Sequence, residues 1–355
     1  MPSNNEKKRV GILCGGKSAE HEISLQSAKN VHDAIDRNLF DPVMIEIDKQ
    51  GRWRLSDGRE LALVPGGGRD AFRVLGDSSS LELDVVFPIL HGPFGEDGTA
   101  QGLLKLAGLP FVGSGVLGSA AGMDKEIMKR LFVEAGLPVG KYFCLRAGDK
   151  ILSFPAAQVR LAGARRTLCD TLFVKPANMG SSVGVSRARG NDEFRAAVKE
   201  ALRYDTKVII EENIPGREIE CAVLGNENPE SSLLGEIIPA DGFYSYSAKY
   251  LDENGARLFA PTDEISIRGE WQIRQMAIKA FQAIGCEGLA RVDFFLRRNR
   301  YPVVNEINTM PGFTKISMYP RLWEVTGVGY TELVSRLIGL AIERHERQSA
   351  LRTSL

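Results

Sequence analysis

The sequence predicts an α/β protein of two or three domains whose first domain is a parallel sheet, and three observations carry that expectation. Residues 9 to about 120 alternate apolar, β-prone runs with helical stretches, the pattern of strands joined by crossover helices. Two Gly-rich loops, Gly15-Gly16 and His91-Gly-Pro-Phe-Gly-Glu-Asp-Gly98, follow apolar strands directly. That is the carboxyl edge, where open α/β sheets bind ligands. Near the other end, two β-prone segments joined by the polar turn Arg297-Arg-Asn-Arg300 read as a hairpin carrying Asp293, Glu306 and Asn308 on adjacent strands. At 355 residues the chain is too long for one ordinary core.

In chain order, the first block takes its strands from Val10-Gly-Ile-Leu-Cys14, Pro42 to Ile47 and Asp84 to Leu90, with helices from Ser24 to Asp36 and Gly98 to Ala107. A second block opens at the helix from Lys125 to Ala135 and holds strands ending at Lys175 and Glu211. Between them, Lys175-Pro-Ala-Asn-Met-Gly180-Ser181-Ser182-Val-Gly184 places a lysine at a strand end before a turn of small residues. Such a turn offers free N–H groups, and as a flexible hairpin flap it closes on phosphates; it also has the composition of a plain surface turn. The third block, from about 212, carries the ligand hairpin and closes on an amphipathic helix from Thr331 to His345. The predicted domains are therefore 1–120, 121–211 and 212–355.

Composition excludes several classes of function. Lys plus Arg number 45 and Asp plus Glu 45, so no global field draws the chain to nucleic acid or an anionic membrane. The polar start lacks the apolar core of a signal peptide, and no apolar run is long enough to span a bilayer. Cys14, Cys144, Cys169, Cys221 and Cys286 are scattered and never spaced C-x-x-C. They read as small buried residues in a reducing, cytoplasmic setting.

The chemistry starts from the hairpin. Two carboxylates and an amide oxygen, without His or Cys, suit Mg²⁺ better than Zn²⁺, and Mg²⁺ held by few protein ligands completes its shell with substrate phosphates. That points to ATP. Gly11-Ile-Leu-Cys-Gly-Gly16-Lys17-Ser18 also matches the P-loop string G-x-x-x-x-G-K-[ST]. A P-loop needs its first glycine to leave the strand, whereas Val10 to Cys14 reads as the strand itself.

Taken together, Gly15-Gly-Lys-Ser-Ala-Glu20-His-Glu-Ile-Ser24, His91-Gly-x-x-Gly-Glu-Asp-Gly98, Met123-Asp-Lys125, Val174 to Val185, Arg217-Glu218-Ile-Glu220, Ala248-Lys249-Tyr250, Arg291-Val-Asp293 and Asn305-Glu-Ile-Asn-Thr-Met-Pro-Gly312 resemble the D-alanine–D-alanine ligases. The matches run in order from about residue 9 to 340. The resemblance implies a three-domain ATP-grasp fold, with ATP held between the central and C-terminal domains. It also implies a cytoplasmic homodimer serving peptidoglycan synthesis, with two Mg²⁺ (or Mn²⁺) ions and with ATP and D-alanine as substrates.

Residue by residue, the resemblance assigns Lys125 and Lys175 to the α- and β-phosphates, Ser182 of the flap to ATP, Lys249 to the γ-phosphate, and Glu211 and Glu218 to adenine and ribose. Asp293, Glu306 and Asn308 become the metal ligands. Glu20 receives the ammonium of the first D-alanine, His91 lies beside it, and Ser181 and Tyr250 complete a hydrogen-bonded set with Glu20. Read by position alone, Glu20 equally suits the first turn of a helix. Arg291 and the Gly312 N–H correspond to the oxyanion-stabilising groups, and Ser317 to the partner of the second substrate's carboxylate. Residues 145–171 contain none of the motifs that carry the resemblance. The competing activities are a ligase joining D-alanine to D-lactate, against which Tyr250 weighs, a P-loop kinase using Lys17, and an inactive ATP-grasp module, against which the complete ligand set weighs.

Overall fold

The computed structural model describes residues 7–77, 79–163, 170–239 and 256–352. Lys249 and Tyr250, assigned above, lie outside the described residues, as does Cys169.

In the first block β1 (Lys8–Gly15) is followed by α1 (His21–Ala34), β2 (Phe40–Ile47), the short strands β3 (Trp53–Leu55), β4 (Glu60–Leu63), β5 (Phe72–Val74) and β6 (Ser80–Leu81), then β7 (Val85–Pro88) and α2 (Thr99–Ala107). The sheet order is β6-β5-β4-β3-β2-β1-β7. Only β2, β1 and β7 are parallel. The antiparallel extension from β3 to β6 escapes the sequence reading because strands of two to four residues are too short for an alternation signal. Gly11 sits inside β1, paired with Val43 and Val86, so the P-loop string is strand and not loop.

The middle of the chain gives α3 (Val116–Met123), α4 (Lys125–Glu134), β8 (Tyr142–Arg146), α5 (Phe154–Ala162), β9 (Leu172–Pro176), β10 (Ser186–Ala188), α6 (Asn191–Ala201) and β11 (Lys207–Glu212). Their strands form an antiparallel sheet ordered β10-β9-β11-β8. The flap is the connection between β9 and β10. The last block holds β12 (Arg217–Gly225), β13 (Glu230–Pro239), β14 (Ala256–Phe259), α7 (Ile267–Ala283), β15 (Gly288–Arg297), β16 (Tyr301–Asn308), α8 (Met318–Thr326) and α9 (Tyr330–Ser349). Its antiparallel sheet runs β14-β13-β12-β15-β16.

Packing crosses the blocks drawn from sequence. Helix α4, capped by the Asp124 carboxylate accepting from the N–H groups of Glu126 and Ile127, buries Met128 and Phe132 with Ile273 and Phe281 of α7 against β12, β15 and β16. The four-stranded sheet keeps a separate core around Phe143, Leu172, Phe194 and Ile210. So α4 projects Lys125 and Lys129 toward the hairpin from the hairpin's own side. A further core joins Val10, Ile12 and Val31 of the first block to Phe313, Tyr319, Trp323 and Leu337 of the last.

Arg344 of α9 locks that junction. It is 4% exposed and donates to the Phe111 carbonyl at 2.7 Å and to the Gly113 carbonyl. Its guanidinium lies 4.4 Å from the Phe111 ring centroid and 3.5 Å from Glu287 Oε2. Arg344→Ala strands buried acceptors and is expected to cost about 3–5 kcal/mol. An unfolding midpoint in urea equal to wild type would show that the clamp carries no stability. Among the described residues no single helix is long and apolar enough to cross a membrane.

Candidate active site

One cleft of about 690 Å³ collects every predicted site residue that the structure describes: Glu20, His91, Lys125, Lys175, Ser181, Ser182, Glu211, Glu218, Arg291, Asp293, Glu306, Asn308, Gly312 and Ser317. The volume lies within the range of about 300–1,000 Å³ usual for small-molecule and cofactor sites.

Strand register builds its floor. Glu220 of β12 faces Asp293 of β15, which faces Glu306 of β16, and Arg291 faces Asn308 one pleat away. Side chains two residues apart share a face, so three carboxylates stand in one row. Arg291 compensates them. Its guanidinium donates two bonds of 2.7 Å to the two oxygens of Asp293 and lies 3.1 Å from Glu220 Oε2. Burial alone would lower the Arg291 pKa, yet Asp293 and Glu220 outweigh it and push the pKa up. Asn308 Nδ2 donates to Asp293 Oδ2 at 3.1 Å. This orientation leaves the Asn308 amide oxygen as the acceptor that a cation would use.

Lysines form the wall above. Lys125 donates to the Met179 carbonyl at 2.7 Å and stands 3.9 Å from Glu306 Oε2. Met179 therefore takes part through its backbone carbonyl. Lys175 lies 2.5 Å from Glu211 Oε2, and Lys129 lies 2.8 Å from Glu211 Oε1 while donating to the Asn305 carbonyl at 2.8 Å. Burial by itself would raise the Glu211 pKa, but the two ammonium groups hold it well below the usual carboxylate range. Lys129, which does not itself line the cleft, is a buried charge partner of Glu211 that the sequence reading missed. The sequence shows only that it shares a helix face with Lys125, four residues before it; its pairing with Glu211 is a tertiary contact.

Glu20 is the residue before α1, yet its carboxylate makes no capping bond to that helix. It accepts instead from the Ser181 hydroxyl, 161 residues away in the flap. Ser181 and Ser182 both have positive φ, 49° and 60°, a conformation few non-glycine residues adopt. Gly92 makes room for the carboxylate: a Cβ there would sit 2.6 Å from Glu20 Oε2. Glu96, unassigned from sequence, accepts from the Gly92 N–H at 2.7 Å. Burial, reinforced by Glu20, pushes its pKa to about 8.

The loop after β16 completes the cleft. Ser317 Oγ accepts from the Thr314 N–H at 3.0 Å, and a Cβ on residue 312 would stand 2.8 Å from that oxygen. Glycine is what lets the serine hydroxyl and the 312 backbone approach each other. His91 is buried and its ring bonds to the Met310 carbonyl and Ser27. Lys17, by contrast, does not line the cleft and lies 5.6 Å from the Phe94 ring centroid.

Of the five cysteines, Cys14, Cys221 and Cys286 are buried as expected, whereas Cys144 is half-buried on β8. Burial lifts all four described thiols to about 12, so none is a ready thiolate.

The donor set suits Mg²⁺. Asp293 and Glu306 lie directly opposite and Asn308 adds an amide oxygen, all hard ligands. Among the described residues no cluster of three or more His, Cys, Asp or Glu forms a metal cage.

The comparisons with known proteins agree over almost the whole chain. The profile described as "D-ala D-ala ligase N-terminus" matches residues 9–114, and "D-ala D-ala ligase C-terminus" matches residues 131–339. A D-alanine–D-alanine ligase of Shouchella clausii is 51% identical over 375 residues, covering 98% of each chain. The solved D-alanine–D-alanine ligase of Coxiella burnetii superposes with a TM-score of 0.86 at 40% identity, covering 97% of this chain and 96% of that one. The VanG D-Ala:D-Ser ligase of Enterococcus faecalis follows with a TM-score of 0.82 at 34% identity, over 95% of this chain and all of that one. With this likeness in sequence and in the ATP-grasp fold, the chain belongs to the D-alanine–D-alanine ligase family.

Proposed function

We propose that this protein joins two D-alanines into D-alanyl-D-alanine at the expense of ATP, for cell-wall precursor synthesis. The observation that carries the reading is the Ser181 hydroxyl of the flap donating to Glu20 of the first sheet, over a cleft that also holds the row of Asp293 and Glu306. An ammonium anchor, a phosphate flap and an oxygen-ligand pair line one cleft.

Glu20 binds the ammonium of the first D-alanine and presents its carboxylate toward the γ-phosphate. Lys125 and Lys175 neutralise the phosphates and Ser182 borders them, while Glu211 and Glu218 take adenine and ribose. Positioning and charge neutralisation are most of what phosphoryl transfer asks of a protein. Two Mg²⁺ (or Mn²⁺) ions on Asp293, Glu306 and Asn308 would supply Lewis-acid charge at the transferring phosphoryl group. The first carboxylate displaces ADP and becomes an acylphosphate. Ser317 holds the carboxylate of the second D-alanine, whose amine attacks the acyl carbon. Arg291 and the Gly312 N–H stabilise the resulting oxyanion, and phosphate leaves. Lys249 at the γ-phosphate and Tyr250 beside Ser181 remain assignments by resemblance.

The central unit, 121–211, carries the flap on its four-stranded sheet, between an amino-acid domain at 1–120 and a metal-bearing domain at 212–355 into whose core its opening helix α4 packs. We further propose a cytoplasmic homodimer. The adjoining helices α2 and α3 expose Leu106 (68%) and Leu117 (75%) with Leu103 and Val116, an apolar surface suited to a second copy.

The test is release of ADP with formation of dipeptide, supplying D-alanine, L-alanine, D-serine or D-lactate with ATP and Mg²⁺. Dipeptide from D-alanine alone is expected. Folded protein that forms none at saturating ATP refutes the reading, and product only when D-lactate or D-serine is added moves it to the depsipeptide or D-serine ligases.

A further inference from the structure

Helix α1 reaches the oxyanion loop through a residue to which no role has been assigned. Ser27 is fully buried and lies seven residues, about 10 Å, beyond Glu20 on the same helix face. Its Oγ is 3.3 Å from His91 Nε2 and accepts from the Phe313 N–H at 3.3 Å. His91 Nδ1 is 3.1 Å from the Met310 carbonyl.

The hydrogen positions follow from what each atom is able to do. A carbonyl only accepts, so His91 Nδ1 carries the proton. Burial lowers the His91 pKa, which favours the neutral ring, in which Nε2 is the acceptor. The Ser27 hydroxyl then donates to Nε2 and takes the Phe313 N–H on a lone pair. Each atom of this buried chain thus has a partner, with the Ser27 hydroxyl serving as both donor and acceptor. Its two ends, Met310 and Phe313, bracket Gly312. The Phe313 carbonyl is held as well, accepting from Asn30 Nδ2 of α1 at 3.1 Å and from the Tyr330 hydroxyl at 2.7 Å.

We infer that Ser27 is a positioning residue of the ligase reaction: through neutral His91 and the Phe313 N–H it sets the oxyanion loop around Gly312 at a fixed distance from the ammonium anchor Glu20. Both nitrogens of His91 are committed to this task, so His91 acts here as a linker and carries no proton between substrates. The inference rests on the proposed ligase reading. It deepens it by tying the two amino-acid sites to one rigid helix.

Ser27→Ala removes the shared hydroxyl and leaves the Phe313 N–H and His91 Nε2 buried without their partner. A loop displaced by a fraction of an ångström should harm the second attack more than the first. The acylphosphate then meets water in place of the second amine, returning D-alanine and phosphate. The expected results are a kcat for dipeptide lowered about 10- to 100-fold, an ATP KM changed by less than about twofold, and more ADP released than dipeptide formed. Ser27→Cys, near in shape with a weaker donor, should restore part of the coupling. Ser27→Ala with wild-type kcat and one dipeptide per ADP, even with a lowered melting temperature, overturns the inference and leaves Ser27 a packing residue. Should Ser27→Ala not fold, the ADP-to-dipeptide ratio of Ser27→Cys decides: a ratio of one refutes, a ratio above one supports. A wild-type enzyme that makes no dipeptide refutes the underlying reading instead.

Discussion

Glu306→Gln is expected to fold as the wild type does and to lose turnover by about 10²–10³-fold or more, the scale seen when one charged or oxyanion-stabilising group is removed from a closed site. The side chain is 25% exposed in the cleft floor, and the swap is nearly isosteric, so packing is spared. What disappears is a charge. Glu306 lies opposite Asp293 and 3.9 Å from Lys125. Burial lowers the Lys125 pKa and Glu306 opposes that shift. The amide therefore weakens both the hold on Mg²⁺ and the ammonium beside it. ADP release across a Mg²⁺ titration, with a thermal melt as control, measures this. Near-normal turnover at unchanged Mg²⁺ dependence would remove Glu306 from the ligand set.

The second large effect separates the two phosphate loops. Lys175→Ala should weaken nucleotide binding about 10- to 100-fold, since a charge-assisted contact is worth roughly 1.5–3 kcal/mol. The Lys175 ammonium is charged and poised: burial lowers its pKa, but Glu211 and Glu306 outweigh burial and raise it. Lys129 stays on the other oxygen of Glu211, so the carboxylate is not left unpaired. Lys17→Ala should leave ATP affinity nearly unchanged, because Lys17 lies beside Phe94, outside the cleft lining. Its loop still adjoins Glu20, so D-alanine affinity is the parameter it can move. Calorimetry with a non-hydrolysable ATP analogue and Mg²⁺ reads both variants. A large loss for Lys17→Ala with wild-type affinity for Lys175→Ala would reverse the roles of the two loops.

Much of this site was legible because it sits in contiguous segments. Asp293, Glu306 and Asn308 are separated by a four-residue polar turn and the strands around it, so the hairpin brings them close; register counted from the turn would set Asp293 opposite Asn305, and a β-bulge beside Asp293 shifts it by one to face Glu306. The flap announces itself as a lysine at a strand end followed by Gly180, Ser181 and Ser182. Lys129 and Ser27 were missed for another reason. Each is an ordinary helical residue in sequence, and only burial beside a carboxylate or a histidine makes it special. Glu220 stood inside a quoted segment without a role until β12 was seen to pair with β15.

The amino-acid sequence by itself determined the strand and helix periods, the carboxyl-edge loops, the oxygen ligand pair and the family, because these depend on neighbours within about 30 residues or on ordered recurrence along the chain. Tertiary structure alone decided three things. It put α4, which opens the central block in sequence, into the core of the last sheet. It brought Ser181 to Glu20. It also made His91 a neutral linker between α1 and the Gly312 loop. The physical reason is common to all three: the partners lie 64 to 286 residues apart, and which buried donor meets which acceptor is set by how the sheets pack, a relation that no local propensity encodes.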